Sequence, residues 1–529
     1  MLRWAFSAAL LALVGASPTD KEDISKARQK QQAQLFSWNP WSKETFDRAK
    51  REKRHILFHG AAEWCHWCHV MEETTYRDPE VGRIISERFV AIRVDIDSRP
   101  DLMERYSDWG WPATVILSPD AEELGKYRGY MPAEQMVEIL RAVERAEQAK
   151  ELAAHALSAD RSPAPVAALG WIGTRVIHDL DGFYDAELGG WGRRQKLLVG
   201  ANVEVELRRH QRGDPGALKR ATFTLQQARA IMDPVWGGVY QYSTGGSWKS
   251  PHFEKLMTIQ ASSLEAFARA YQVSGDATLL KDAQAISSYM ERFLTSPEGT
   301  FYVNQDADVG AHDRAAKFVD GHTYYALPDA KRRALGTPWV DTHVYARENG
   351  LAIAALTVLY EAAHDEKALA RARRAADVML RTHVREDGSV RRAADNPDQP
   401  RFLADAAALG RALALLAQAT GEARYRDAAV RVARNLVASF SDEKSGGFYD
   451  HTEDPAAAGV FARRDKPFAH NVTAARFLAL VSRLTSDATL MDRARGALAS
   501  VATPRGLQDQ GRMVGEFVLA LDETGALTW

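Results

Sequence analysis

The chain has 529 residues, 46% of them hydrophobic and 26% charged, with 68 basic against 70 acidic side chains and a formal net charge of -2. That length supports two or three domains of ordinary globular composition, and the near-neutral balance gives no broad electrostatic footing for nucleic acid or an anionic membrane. Only two cysteines occur, which excludes a disulfide-stapled scaffold, and a chain of this size needs none.

Residues 1–16 carry one arginine, an apolar run from Trp4 to Val14 and the small residues Val14-Gly15-Ala16 before Ser17, the pattern of a cleaved secretory signal peptide. The run of about 11 residues falls short of the ~20 that span a bilayer. No later run is as apolar, so a secreted or periplasmic chain is expected, without membrane contact after cleavage. His55 to His59 reads as a short buried strand, Gly60 to Glu63 as a turn, and Cys65 to about Ser86 as a helix.

Cys65 and Cys68 thus stand at a helix N-terminus that follows a strand, the placement of a thioredoxin-like redox pair. The free N–H groups and positive end of that helix favour a thiolate on Cys65, the more exposed sulfur, while Cys68 one turn on can resolve a mixed disulfide. His66 between them, partly protonated, would lower the Cys65 pKa and make the pair a better oxidant. Two other readings of the residues stay open: a zinc site on the cysteines with His66, His69 and nearby acids, and c-type haem attachment through Cys-x-x-Cys-His. Redox chemistry fits the preceding strand better, so the expected cofactor is none beyond the Cys65–Cys68 disulfide, with no metal.

After a charged connector at 146–164, closed by Pro163-Ala164-Pro165, apolar residues recur at helical spacing from Val166 to Val501, enough for about ten to twelve helices in pairs. Between pairs comes a glycine-aromatic element, mostly with an aspartate shortly before it: Gly189-Gly190-Trp191, Gly237-Gly238-Val239-Tyr240, Gly299-Thr300-Phe301 and Gly446-Gly447-Phe448. Closing six such hairpins gives an (α/α)6 toroid; an open helical solenoid is the alternative. The expected fold class is therefore multidomain, an α/β thioredoxin-like fold over 30–145 followed by an all-α (α/α)6 toroid over 165–529.

Cys65-His66-Trp67-Cys68-His69-Val70-Met71-Glu72 matches the CHWCHVM hallmark of the spermatogenesis-associated protein 20 / YyaL family, a DsbH-like branch that the chain resembles over nearly its whole mature length. Arg99-Pro100-Asp101 matches the family's RPD. Gly110-Trp111-Pro112-Ala113-Thr114 sits where thioredoxin folds place a cis-proline loop, which makes Pro112 a site residue by resemblance. His59 stands where thioredoxins carry a buried Asp that assists proton transfer. Farther on, Gly237 to Thr244, Trp248 to Lys255, Asp306-Ala307-Asp308, Arg347 to Leu351 and Phe402 to Asp405 resemble, in diluted form, motifs of the family's toroid. Such toroids also resemble N-acylglucosamine 2-epimerases and six-hairpin glycosidases, an analogy of fold.

His252, Glu254, Asp306, Asp308, Asp405 and His470 fall in or beside interhelical loops, where they could converge on a toroid cavity and bind or process a carbohydrate or peptide. They could equally be caps or, for Glu254 and Lys255, solvated surface charge. Trp191, Tyr240, Tyr242, Trp248 and Tyr302 suit sugar stacking or toroid packing alike. The expectation is an exported thiol-disulfide oxidoreductase. Cys65 attacks, Cys68 resolves, Pro112 shapes the peptide site, and His66 and His59 tune the proton balance. Its partners would be protein thiol or disulfide clients and a redox partner. A carbohydrate-processing or carbohydrate-binding toroid with an accessory head is the alternative, and a scaffold is a third reading.

Overall fold

The computed structural model describes residues 33–106, 111–149, 162–396, 399–527 and 529. The expected signal peptide, Gly110 and most of the connector lie outside them. The head is built on a four-stranded sheet, β1 (His55–Ala61), β2 (Phe89–Asp95), β3 (Ala113–Leu117) and β4 (Glu123–Arg128), in the order β2-β1-β3-β4. β1 runs parallel to β2 and antiparallel to β3. The period-2 alternation of β1 explains its burial on both sides. Ile56 and Phe58 join Phe46 and Leu102 in one cluster, and Leu57 joins Met71, Ile85 and Leu140 in the other. Helices α1 (Lys43–Glu52) and α4 (Pro100–Tyr106) cover the first face. Helices α2 (His66–Glu73), α3 (Pro79–Arg88) and α5 (Ala133–Ala149) cover the second.

The single helix expected from Cys65 to about Ser86 is two. Helix α2 ends at Glu73, a 3-10 turn spans Thr75–Arg77, and α3 starts afresh behind Asp78, whose carboxylate accepts the Glu80 and Val81 N–H groups, with Pro79 in the first turn. A capping Asp followed by Pro is a helix start, and it outweighs the apolar periodicity that runs through it.

The second domain is a closed ring. Six inner helices, Gly200–Gln211, Met257–Ser274, Ala346–Ala363, Leu403–Thr420, Phe468–Thr485 and Gly515–Glu523, each pack on the next, and the last returns to the first. Each inner helix also carries an outer one, and the sixth outer helix is Leu169–Phe183 from the start of the domain. Closure rules out the open solenoid. The sequence separates the layers: Leu403–Thr420 is buried almost all round, whereas Glu366–Thr382 is amphipathic with arginines outward. Close approach needs small residues, as at Gly350, where an added Cβ would stand 2.6 Å from the Ala408 backbone.

Three of the four glycine-aromatic elements are one repeated turn, and the fourth, at Gly299, is closed by Ser296 instead. Asp185, Asp233 and Asp442 each accept a backbone N–H two residues on. Lys196, Lys255 and Lys466 then bridge that carboxylate and the carbonyl of the first glycine. Gly237 and Gly238 sit at φ 76° and 77°, where a Cβ is strained. From the inner helices, Gln260, Asn349 and Asn471 pin the next backbone stretch at Val239, Phe301 and Phe448. Lys255 is therefore a fully buried turn staple, not surface charge.

The head sits over one mouth of the ring. Phe461, from the loop before Phe468–Thr485, is inserted into the head's own core, with its ring 4.8 Å from Trp41 and 5.7 Å from Phe58. The segment leading into α4 is held by toroid side chains: Arg392 Nε donates to the Asp97 carbonyl at 2.9 Å, Gln399 to that of Ser98, and Arg99 pairs with Asp454 at 3.1 Å.

Candidate functional site

Cys65 and Cys68 form a disulfide with Cα atoms 5.2 Å apart. Cys65 is the N-cap of α2, and its sulfur accepts the Cys68 backbone N–H at 3.1 Å. The expected asymmetry holds, though on a small scale, since Cys65 is 4% exposed and Cys68 0%. Trp67, Met103 and Trp111 of the head and Leu256 of the toroid pack around the pair. The Trp111–Pro112 bond is cis.

The two histidines of the motif face the toroid. His66 Nδ1 lies 2.6 Å from Asp308 Oδ2, and His69 Nδ1 lies 3.8 Å from Asp306 Oδ2. Burial works against ionising Asp308, yet the charge of His66 and the bond to it hold that carboxyl below its ordinary range. Both aspartates come from the loop after the two-residue strand Asn304–Gln305. Asp306 Oδ1 accepts the Asp308 N–H, and Asp308 Oδ1 accepts that of Gly321. The capping reading of these residues is thus half right: one oxygen of each orders the loop, and the other meets the CxxC helix.

His252 and Glu254 join the same place. With His66, Phe253, Asp308 and His322 they line a cleft of about 30 Å³. Burial pushes the Glu254 carboxyl up to about 7, and its Oε2 has no hydrogen-bond partner. Burial, then the charge of His66, pushes His252 down to about 4, and its ring stacks on Tyr242 at 4.3 Å. Four of the six toroid residues therefore converge on the CxxC helix, at His66 and His69.

The other two do not. Asp405 is buried in an ion pair with Arg392 at 2.9 Å, beneath the head, and accepts the Arg347 N–H. Buried His470 lies 4.0 Å from Glu104 of the head, and burial pushes it down to about 3. Neither faces an open mouth, because the head occupies it. The cavity along the ring axis, lined by Glu204, Arg269, Arg411 and Arg476 among others, is about 80 Å³, well short of the ~300–1,000 Å³ of ligand pockets. Trp191, Tyr240 and Trp248 are buried in the toroid core, which removes them as sugar platforms.

His59 is fully buried, bonded to the Tyr76 hydroxyl at 3.2 Å and stacked on Trp38. Burial drives it down to about 4, so it stays neutral. Beside it Glu72, Arg93 and Glu63 form a chain of charge, with Arg93 bonded to both acids at 2.8 and 2.9 Å. Sequence reasoning missed Asp97, which accepts from Trp64 and Asn304, as well as Arg392 and His312. Asp97 lies just before the RPD triplet, a usable signal. Arg392 and His312 stand in no recognisable motif.

Fold and site together define a thioredoxin-like domain of DsbH type docked on an α/α toroid. Residues 21–159 match the family model Thioredox_DsbH, described as a protein of unknown function, DUF255. Spermatogenesis-associated protein 20 of Homo sapiens is 32% identical over 307 residues, covering 51% of this chain and 39% of the human protein. An uncharacterized protein of Caenorhabditis elegans is 25% identical over 317 residues, 54% of this chain and 43% of that one. The family resemblance is borne out: the chain is similar to the spermatogenesis-associated protein 20 proteins over about half its length. The match spans about two fifths of those curated relatives' length. Among solved structures, a D-mannose isomerase aligns over 67% of this chain and 97% of its own at 13% identity, TM-score 0.49. A cellobiose 2-epimerase from Bacillus thermoamylovorans aligns over 62% and 86% at 12% identity, TM-score 0.47.

Proposed function

We propose that this chain is an exported thiol-disulfide oxidoreductase in which the toroid covers the redox helix and governs which thiols reach it. The observation that carries the reading is the pair itself: Cys65 at the helix N-cap with its sulfur on a backbone N–H, Cys68 buried one turn in. A thiolate on Cys65 gains from that N–H and from the helix end, and an inward Cys68 is placed to attack Cys65 rather than a client.

In the oxidised form a client thiolate attacks Cys65 Sγ, the Cys65–Cys68 bond breaks, and Cys68 leaves as a thiolate that takes up a proton. A second client thiolate then attacks the client sulfur of the mixed disulfide and releases Cys65. The client is oxidised by two electrons and the pair is reduced, to be reoxidised by a redox partner of higher potential; run backwards, the same steps reduce a client. His66, held by Asp308, sets the charge beside Cys65. The carbohydrate alternative is weaker, because the mouth that would admit a sugar is occupied by the head and Asp405 is held there by Arg392.

Trapping tests this. Cys68→Ser, mixed with a thiol-bearing client extract in which Cys65 has been activated as a mixed disulfide, is expected to accumulate reducible adducts at Cys65. The absence of adducts in Cys68→Ser, or their formation at Cys68 in Cys65→Ser alone, overturns the assignment.

A further inference from the structure

Beside the disulfide, the two domains bring together three side chains that the thiol chemistry does not use. His69 comes from α2; Asp306 and His312 come from the toroid loop that follows Asn304–Gln305. One ligand atom from each lies within 4.8 Å of the others. Asp306 Oδ2 is 2.9 Å from His312 Nε2 and 3.8 Å from His69 Nδ1. Two ligands each ~2.0–2.1 Å from a tetrahedral ion stand about 3.3 Å apart, and these two separations bracket that value.

His69 Nδ1 is the decisive atom. Its side chain is 9% exposed, and the nitrogen has no hydrogen-bond partner, since 3.8 Å to Asp306 is too long for one. A buried polar atom left so keeps its desolvation penalty unless something satisfies it. Asp306 is already divided for the purpose, Oδ1 on the Asp308 N–H and Oδ2 turned to both imidazoles. The His312 ring is set by its surroundings: it stacks on Trp339 at 4.3 Å and has Glu63 Oε2 3.7 Å from its other nitrogen, the position of an orienting carboxylate.

We propose that His69, Asp306 and His312 bind a divalent transition-metal ion of the zinc type, pinning the CxxC helix of the head to the toroid. Two imidazoles and one carboxylate match the borderline-soft ions, and three protein ligands leave one coordination position open. Neither cysteine belongs to the set, which separates it from a zinc site built on Cys65 and Cys68.

The test uses the full-length protein, stripped with a chelator and kept oxidised so that the sulfurs cannot ligate. Titration with zinc chloride by calorimetry is expected to give one ion per chain. Cobalt chloride is expected to give visible ligand-field bands without thiolate charge transfer. His312→Ala, whose ring is 22% exposed, and the near-isosteric Asp306→Asn are each expected to weaken binding at least about tenfold, with metal-free circular dichroism unchanged for His312→Ala. No saturable binding at micromolar zinc overturns the proposal. So does binding indifferent to both variants, or binding that appears only after the disulfide is reduced, which would place the ion on thiolates.

Discussion

Asp308 of the toroid stands 2.6 Å from His66, the residue after Cys65, across 242 residues of sequence. A charge intended for Cys65 is therefore shared with a carboxylate, and the two partners act on the thiolate with opposite sign. His66→Ala removes the positive group and strands the negative one, so the Cys65 pKa rises. Asp308→Asn removes the negative group, so it falls. Iodoacetamide alkylation of the reduced protein against pH reads both, with the wild type below the ~8.5 of a free thiol. Shifts of the same sign in the two variants would show that the pair acts by position rather than by charge.

Glu254 gives a stability signature. Its folded pKa is raised to about 7 from an ordinary 4.5, so the folded state prefers the protonated acid. Its contribution is fully present below pH 4.5 and is lost as pH rises through 7. Glu254→Gln cannot ionise, and it is expected to match the wild type near pH 4.5 and exceed it by up to about 3 kcal/mol at pH 8. Urea unfolding of both proteins across that range measures the difference.

Asp405 is expected to behave as a structural ion rather than a ligand-binding one. Asp405→Ala leaves buried Arg392 with Glu348 at 3.6 Å and the Asp97 carbonyl, and removing one partner of a buried pair typically costs about 3–5 kcal/mol. Thermal unfolding would show a clear drop. An unchanged midpoint together with lost glycan binding would restore the sugar reading.

Access to the disulfide is expected to depend on reductant size. Cys65 is nearly sealed, so a small phosphine reduces the pair faster than a folded dithiol protein does. Phe461→Ala withdraws the toroid ring from the head's core, at a cost of about 3 kcal/mol. It is expected to speed the protein reductant at least about tenfold through a larger open population, with little change for the phosphine. Stopped-flow tryptophan fluorescence follows both.

The placement of the cysteine pair was legible because it is local: a strand, a turn and two cysteines one helical turn apart are neighbours in sequence. The helix layers were legible too, since periodicity writes burial directly. The break at Asp78-Pro79 is equally written, but the apolar periodicity that runs across it masks it. Illegible was the convergence of Glu254, Asp306 and Asp308 on the CxxC helix, which depends on a docking that no local pattern encodes. Asp405 shows the converse, an acid in a family motif whose partner Arg392 is fixed only by the folded interface.

The ordering of these contacts along the chain also sets a clock. The head can fold and its cysteines can pair as soon as the first sheet is complete, whereas Asp308 is added 242 residues after His66. At the ~5–20 residues per second of chain elongation, the redox helix stands bare for on the order of 10–50 s before its cover exists. Ring closure comes later still, because Leu169–Phe183 waits for Gly515–Glu523. On the function proposed above, a pair that emerges ahead of its cover meets any thiol that reaches it, and the finished protein is the more selective of the two forms.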